Sequence, residues 1–496
     1  MNPFLNLKLP KSNTYILFKM KSYIVIYSKS NLHSININNH NEYKINDLSI
    51  FDSTNTIITF QTSDLLRIHN SETKLPHIID LECLDKQFSQ HGKELKSNSN
   101  WSIIECLNRN EILNSEIDIL PDNIKFFLEK ISSLYFHLIE KSPEEKERFD
   151  KIEIPVNAVI YERQKKGINI NFEKIQSTSL LIEQDIYKIK NDLQFEHNIL
   201  DPNNENFQRE YLATKNYSFI NSLFYSFKIR KNQDVICGKI YKLLKLEQDY
   251  DCLLLMLANS GGRKKVYPTY LGFGTITSRI IVRQPSLQNL SKNLRDIIIP
   301  DKNHSLLYVD YSQFEAGILA SLSKDNKLIE LYNADIYADL ANEVIGDRNE
   351  RNEAKIIFYR FMYGDNTLSK KAKAYFEKFE KLRLFKSEIL NRIDSEHRIH
   401  SPLGNFRISV SDESTWALSH KIQSTASYIY KNSIIAVNKE IKKAHFLLPM
   451  HDATLYQIDT KSYEEVKSKI ESIYCREFKK ICPLIKPRVQ SKNVFA

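Results

Sequence analysis

The chain has 496 residues, with 70 Lys and Arg against 61 Asp and Glu, and a net charge of +9 at neutral pH. That length allows about two to four domains and a large core. The basic excess suits a polyanionic partner, and it fits a modestly basic soluble protein equally well. The cysteines, Cys83, Cys106, Cys237, Cys252, Cys475 and Cys482, are far apart and form no Cys-x-x-Cys pair, so neither a zinc site nor a disulfide framework is indicated. Reduced thiols in a cytosol are expected. No apolar run approaches the ~20 residues of a membrane span. Lys8, Lys11, Lys19 and Lys21 interrupt the N-terminal apolar stretches, which excludes a signal-peptide pattern. A cytoplasmic protein is expected.

From the N-terminus, short β-rich runs alternate with Asn/Ser breaks: Tyr15–Phe18, Tyr23–Tyr27 and Thr56–Phe60. Helical spacing follows around Ser63–Leu66 and from Asn123 to Glu140. Lys96–Asn100 reads as a loop, and Ser142-Pro143-Glu144-Glu145 as a helix start near a domain boundary. This region reads as a small α/β domain. Residues Phe172 to Ala258 read as largely helical and highly charged.

Leu306-Leu307-Tyr308-Val309 is an apolar run that reads as a buried strand, and Asp310 ends it. Downstream, Phe446–Met450 and Thr454–Ile458 form a second strand pair with His451-Asp452 at the turn. Two such carboxylates can share a pair of Mg²⁺ ions, as nucleotidyl transfer requires. Between them, Arg351, Lys355, Tyr359 and Tyr363 recur every four residues. That spacing puts all of them on one helical stripe about 18 Å long. Cations at one end suit phosphates and rings at the other suit a base.

These segments, in this order, resemble the family A DNA polymerases of the bacterial polymerase I type. Asp310-Tyr311-Ser312-Gln313-Phe314-Glu315 is similar to motif A, the stripe completed by Gly364 to motif B, and His451-Asp452 to motif C. Thr277-Ser278-Arg279 and Gln284–Leu290 resemble the Thr-Gly-Arg…Pro-Asn-Leu-Gln-Asn segment. Glu153-Ile154-Pro155 and Gly167–Asn171 resemble the entry to the polymerase domain, and Ser401–Gly404 and Ile422–Ala426 two later segments.

The resemblance implies an α/β (α+β) right-hand polymerase with palm, fingers and helical thumb, preceded by an exonuclease-like, RNase H-like α/β domain. The expected division is 1–148 for a degenerate 3′→5′ exonuclease-like domain, 149–258 for entry and thumb, 259–330 for palm, 331–417 for fingers, and 418–496 for palm and tail. No room is expected for a separate 5′-nuclease domain. The implied reaction is template-directed addition of deoxynucleotides to a primer 3′-hydroxyl, in replication or repair. The implied partners are primer–template DNA and deoxynucleoside triphosphates, with a monomer expected and no membrane.

By the same resemblance, Asp310, Asp452 and the Tyr311 carbonyl hold two Mg²⁺ ions, with Mn²⁺ as a substitute. Arg351 and Lys355 contact the triphosphate, Lys355 being counted among the catalytic groups. Gln313, Tyr311, Tyr359 and Tyr363 belong to the nucleotide site. With Tyr at 359, acceptance of dideoxynucleotides is expected. Glu315 is the sugar gate, held by Tyr363, that clashes with a 2′-hydroxyl. Arg279, Gln288, Asn289, Gln423 and His451 touch the primer–template. A loop or cap role for Asn289 and Gln423, and a structural role for His451, stay open.

The pattern is broken in places. Ala453 replaces the Glu of His-Asp-Glu, Gly317 an Arg, Arg360 a Gly, and Tyr337 a His near the triphosphate. The Asp-x-Glu pair of a proofreading nuclease is missing where Tyr23–Tyr27 runs into Ser28-Lys29-Ser30-Asn31, although Asp64 and Asp80 are candidate remnants. Absent proofreading is therefore expected. Two alternatives stay open: a catalytically impaired relic that binds DNA, and a single-subunit RNA polymerase, against which Glu315 speaks.

Overall fold

A computed structural model describes residues 21–28, 31–39, 41–45, 48–60, 62–68, 74–89, 101–113, 123–217, 219, 222–409, 415–450 and 452–493. The expected strand at Tyr15–Phe18, the loop at Lys96–Asn100, and His451 lie outside the described residues.

The N-terminal sheet contains β1 (Lys21–Ser28), β2 (Asn31–Asn36), β3 (Glu42–Ile45), β4 (Asn55–Thr59) and β5 (His77–Asp80), in the order β3-β2-β1-β4-β5. β1, β2 and β3 pair antiparallel, whereas β4 runs parallel to β1 and β5 parallel to β4. Parallel neighbours need a crossover, and α1 (Thr62–Ile68) supplies the one between β4 and β5. β1 is covered on both faces. Ile24 and Ile26 pack in one cluster with Phe127 and Leu128, and Val25 in another with Leu65. Burial on both sides is why β1 reads as a continuous apolar run.

Helices α2 (Leu81–Ser89), α3 (Ile103–Arg109) and α4 (Ile124–Lys141) follow. The α4 side buried on the sheet carries Phe127, Leu128, Ile131, Leu134, Tyr135 and Leu138, at steps of one, three and four. Ser142 ends α4 in an extended conformation. It also caps α5 (Pro143–Arg148) by accepting from the Glu145 amide, with Pro143 opening the new helix. A π-helical turn, Phe149–Glu153, joins α5 to α6 (Ile154–Lys166).

β6 (Ile168–Asn169) leads to a helical stretch of α7 (Phe172–His197), α8 (Glu205–Thr214), α9 (Leu223–Arg230) and α10 (Val235–Ser260). Ile189 and Leu193 of α7 pack with Ile240 and Leu243 of α10. β7 (Lys265–Val266) returns to pair with β6, and β8 (Thr269–Leu271) pairs with β9 (Ile281–Arg283).

The central sheet begins with β10 (His304–Tyr311). Then come α11 (Phe314–Ser323), α12 (Asn326–Ala334), α13 (Ile336–Leu340), α14 (Arg351–Met362), α15 (Lys370–Glu377), α16 (Glu380–Glu396), the pair β11 (Arg398–Ile399) and β12 (Arg407–Ile408), and α17 (Ala417–Glu440). β13 (Ala444–Met450), β14 (Ala453–Asp459), α18 (Tyr463–Ile481) and β15 (Val489–Asn493) finish the chain. The sheet order is β13-β14-β10-β15 and every pairing is antiparallel. β10, from the middle of the sequence, thus lies between strands from its end. Behind the sheet, the Tyr311 hydroxyl bonds Ser433 Oγ of α17 at 2.7 Å and its ring stacks on Phe314 at 4.1 Å. This packing fixes the end of β10, where Asp310 stands. No described helix is long and apolar enough to cross a membrane.

Candidate active site

Asp310 and Asp452 meet through strand register. Asp310 pairs with Ala453 across β10 and β14, and Asp452 is the residue just before Ala453. Their proximity is visible electrostatically. Burial, and then the Asp452 charge, push the Asp310 carboxyl up to about 6, against the opposing pull of Lys355, Lys292 and Arg295. Two carboxylates this close repel unless a cation shares them. A cleft of about 850 Å³ opens beside Asp310, and Lys292, Arg295, Tyr308, Glu471 and Lys492 line it.

Arg279 is the cation next to Glu315 and Asp452. Its Nη2 lies 2.5 Å from Glu315 Oε1 and 3.5 Å from Asp452 Oδ1. Glu315, at the start of α11, is 1% exposed. Burial pushes its carboxyl up to about 7, although Arg279 acts in the opposite direction. Its Oε2 is buried with no hydrogen-bond partner among the described residues. The expected hold of Tyr363 on Glu315 is not made. Gln423 Nε2 donates to the Tyr363 hydroxyl at 2.7 Å instead, and Glu315 is held by Arg279. The physical reason is charge: a guanidinium offers a buried carboxyl more than a phenol does.

The stripe of four is carried by α14, with Tyr363 as its C-cap. Ala354, Phe358 and Met362 face the core, and Arg351, Lys355 and Tyr359 run along the flank of that face, Lys355 exposed and the other two half-buried. The Tyr359 and Tyr363 rings stack with centroids 6.4 Å apart. Lys355 Nζ lies 5.9 Å from both the Tyr359 and Tyr337 rings. Arg351 Nε bonds Asp335 Oδ2 at 2.7 Å, and its guanidinium lies 5.1 Å from the Tyr337 ring. Tyr337 is therefore a buried platform under both cations, and burial, then the Glu315 charge, raise its phenol above the usual range. Burial, and then the Glu315 charge, raise the Tyr359 phenol well above its usual range. Gln313 adopts φ +52 at the head of α11 and links it to α13, accepting from the Ile336 amide at 3.0 Å.

The other expected contacts are more dispersed. Gln288 Oε1 accepts from the Val282 amide at 3.1 Å, and Gln288 is 8% exposed. Asn289 Nδ2 donates to Ser286 Oγ at 2.8 Å, and the Asn289 carbonyl accepts from Lys245. Both side chains thus brace their own segment. Asp64 lies on α1, 3.8 Å from Arg67, and Asp80 is buried, accepting from the Cys83 amide and the Tyr161 hydroxyl. Among the described residues, no group of three or more His, Cys, Asp or Glu stands together as a metal site. The Asp335–Arg351 pair and the Tyr337 platform were missed by reading the sequence. Asp335 carried no signal of its own, whereas Tyr337 was visible as a departure. The Gly317 departure has a steric cause, because a Cβ there would lie 2.7 Å from Tyr332 Cε2 and 3.0 Å from Ile485 Cδ1. Arg360, in place of Gly, bonds Asp365 at 2.6 Å.

A family model for DNA polymerase family A matches residues 228–485, which include both aspartates, the stripe and Arg279. The chain belongs to DNA polymerase family A. This family A polymerase is 26% identical over 410 residues to DNA polymerase I of Caldicellulosiruptor bescii, covering 69% of the chain and 46% of that relative. It is 28% identical over 272 residues to DNA polymerase I of Helicobacter pylori, covering 47% of the chain and 30% of the relative. It is also 28% identical over 256 residues to DNA polymerase theta of Caenorhabditis elegans, covering 45% of the chain and 16% of that protein. The chain thus spans less than half the length of these curated relatives. Its fold is similar to the POL domain of Pol1 from M. smegmatis, solved in complex with DNA primer-template and dNTP. The TM-score is 0.74 at 16% identity, covering 96% of this chain and 95% of that one.

Proposed function

We propose that this protein is a template-directed DNA polymerase that adds deoxynucleotides to a primer 3′-hydroxyl. The observation that carries the reading is the bringing together of Asp310 and Asp452 at one end of the central sheet, within electrostatic reach of Lys355 on α14. In this reading the central sheet is the palm, the helices from α12 to α16 are the fingers, and α7 to α10 are the thumb.

The residues present fit a divalent cation pair. Asp310 is held partly neutral by its own burial and then by the like charge of Asp452, and Glu315 keeps a buried oxygen with no hydrogen-bond partner among the described residues. Asp310 and Asp452 would be the holding residues. When bound, two Mg²⁺ ions, or Mn²⁺ in their place, make the primer hydroxyl more acidic and neutralise charge on the triphosphate. Arg351 and Lys355 bind the phosphates, with the Arg351 fork released from Asp335. Tyr359 and Tyr363 stack against the sugar and base. Glu315 closes the space beside C2′, which disfavours a single-subunit RNA polymerase. Ala453, 1% exposed, offers no third carboxylate.

The N-terminal sheet is read as an exonuclease-like scaffold without proofreading. Its parallel and antiparallel mixture with β1 at the centre supports the scaffold. The absence of any acid on β1 and the use of Asp80 in structural bonds support the lost chemistry. A monomer acting in the cytoplasm on primer–template completes the proposal.

Primer extension with Mg²⁺ tests this reading. Wild type should extend a primed template with deoxynucleotides, and Asp310→Ala and Asp452→Ala should not. Extension by either variant at the wild-type rate would sink the two-carboxylate reading. A 3′-labelled primer shortened in the absence of nucleotides would refute the loss of proofreading.

A further inference from the structure

Ser278 stands where the resembled segment carries Gly. It adopts φ +59 and is fully buried. A non-glycine residue there is strained and must be held by its surroundings. What holds it comes from far away in the chain. Arg148 Nη2 donates to Ser278 Oγ at 2.8 Å. Ser278 Oγ in turn donates to Ser427 Oγ at 3.0 Å, and Ser427 Oγ donates back to the Ser278 carbonyl at 2.7 Å. The turn is closed by the Ser278 amide donating to the Thr275 carbonyl, and by the Arg279 amide donating to Thr275 Oγ1.

Arg148 is itself held on every side. It is fully buried, and its Nε donates to Glu153 Oε1 at 3.1 Å. Its Nη1 reaches the Leu403 carbonyl at 2.9 Å and Ser401 Oγ at 3.2 Å. Lys431 Nζ completes the network on Glu153 at 2.6 Å. A buried charge with every donor directed fixes register between segments. The residue after Ser278 is Arg279, whose guanidinium touches both Glu315 and Asp452.

We propose that Arg148, acting through Ser278, is a positioning residue that aims Arg279 at the sugar-gate and metal-site carboxylates. It thereby ties the N-terminal segment to nucleotide selection. This rests on the polymerase reading above. Loss of the Arg148–Ser278 hydrogen bond should let the Arg279 side chain wander, loosening both Glu315 and primer–template binding.

The test is a double-variant cycle with Ser278→Ala and Arg148→Lys, read by the deoxynucleotide-to-ribonucleotide ratio of kcat/KM and by primer–template anisotropy. Each single variant should lower the ratio about fivefold and weaken DNA binding, and the double variant should do no worse than either, because both remove one link. A purely structural role would shift the melting temperature and leave the ratio in place. The proposal is overturned if both singles stay within about twofold of wild type, or if their effects multiply. Should Arg148→Lys fail to fold, Ser278→Gly decides as a single variant, since Gly accepts the left-handed turn and still removes the hydroxyl: a fall in the ratio of about fivefold supports the proposal, and a ratio within about twofold of wild type overturns it. Should wild type fail to extend primers, the polymerase reading falls, and the anisotropy arm alone decides the proposal.

Discussion

Replacing Asp310 with Asn should make the metal-free protein more stable while abolishing catalysis. Burial and the facing Asp452 raise the Asp310 carboxyl from 3.8 to about 6. A shift of about two units corresponds to about 3 kcal/mol. Because the folded value is the higher one, the native state retains its proton longer than the unfolded chain does. Stability from this group is therefore full below about pH 4 and falls as pH rises through 6, so the penalty is complete at pH 8. The neutral, isosteric Asn carries no such penalty. Melting entropy scales with chain length, so about 3 kcal/mol corresponds to a gain of about 3 °C here. Thermal unfolding in a chelator at pH 8 should show that gain for Asp310→Asn, shrinking to under about 1 °C at pH 4. Millimolar Mg²⁺ should stabilise wild type and close the gap, because a ligand that binds only the folded state raises its melting point. An Asn variant no more stable than wild type at pH 8, or equally advantaged at pH 4, would refute the electrostatic account.

Glu315→Ala should admit ribonucleotides, with at least about a tenfold fall in sugar discrimination in single-nucleotide incorporation; unchanged discrimination would remove Glu315 from the gate. Gly317→Arg, which restores the residue the family pattern leads one to expect, should instead destabilise by about 2 kcal/mol or more in urea unfolding, because the new Cβ meets Tyr332 and Ile485. Ser142→Ala should cost about 1 kcal/mol through loss of the α5 cap, read as a lowered urea midpoint. Chain termination by dideoxynucleotides should be efficient in primer extension, as expected from Tyr359.

Much of the site was legible because its signals are local. The four-residue spacing of Arg351, Lys355, Tyr359 and Tyr363 is a property of helical geometry, and α14 carries the first three along one flank with Tyr363 at its cap. The period-two burial of Leu307, Val309 and Tyr311 and the turn at Asp452 likewise follow from strand geometry. What stayed hidden depends on residues distant in sequence. Glu315 pairs with Arg279, 36 positions earlier, and Tyr363 pairs with Gln423, 60 positions later. Neither partner is specified by periodicity, since each pairing is settled by whichever donor folding delivers to a buried acceptor.

The sequence by itself determined the amphipathic helices, the apolar strands, the cap at Ser142 and the order of the acidic and basic motifs, because each rests on neighbours within a turn or two. Only the tertiary structure decided that β10 lies between β14 and β15, that Asp310 and Asp452 share one end of that sheet, and that Arg148 reaches Ser278 across 130 positions. Long-range register comes from packing and from satisfying buried charge, and those forces act on the folded chain as a whole.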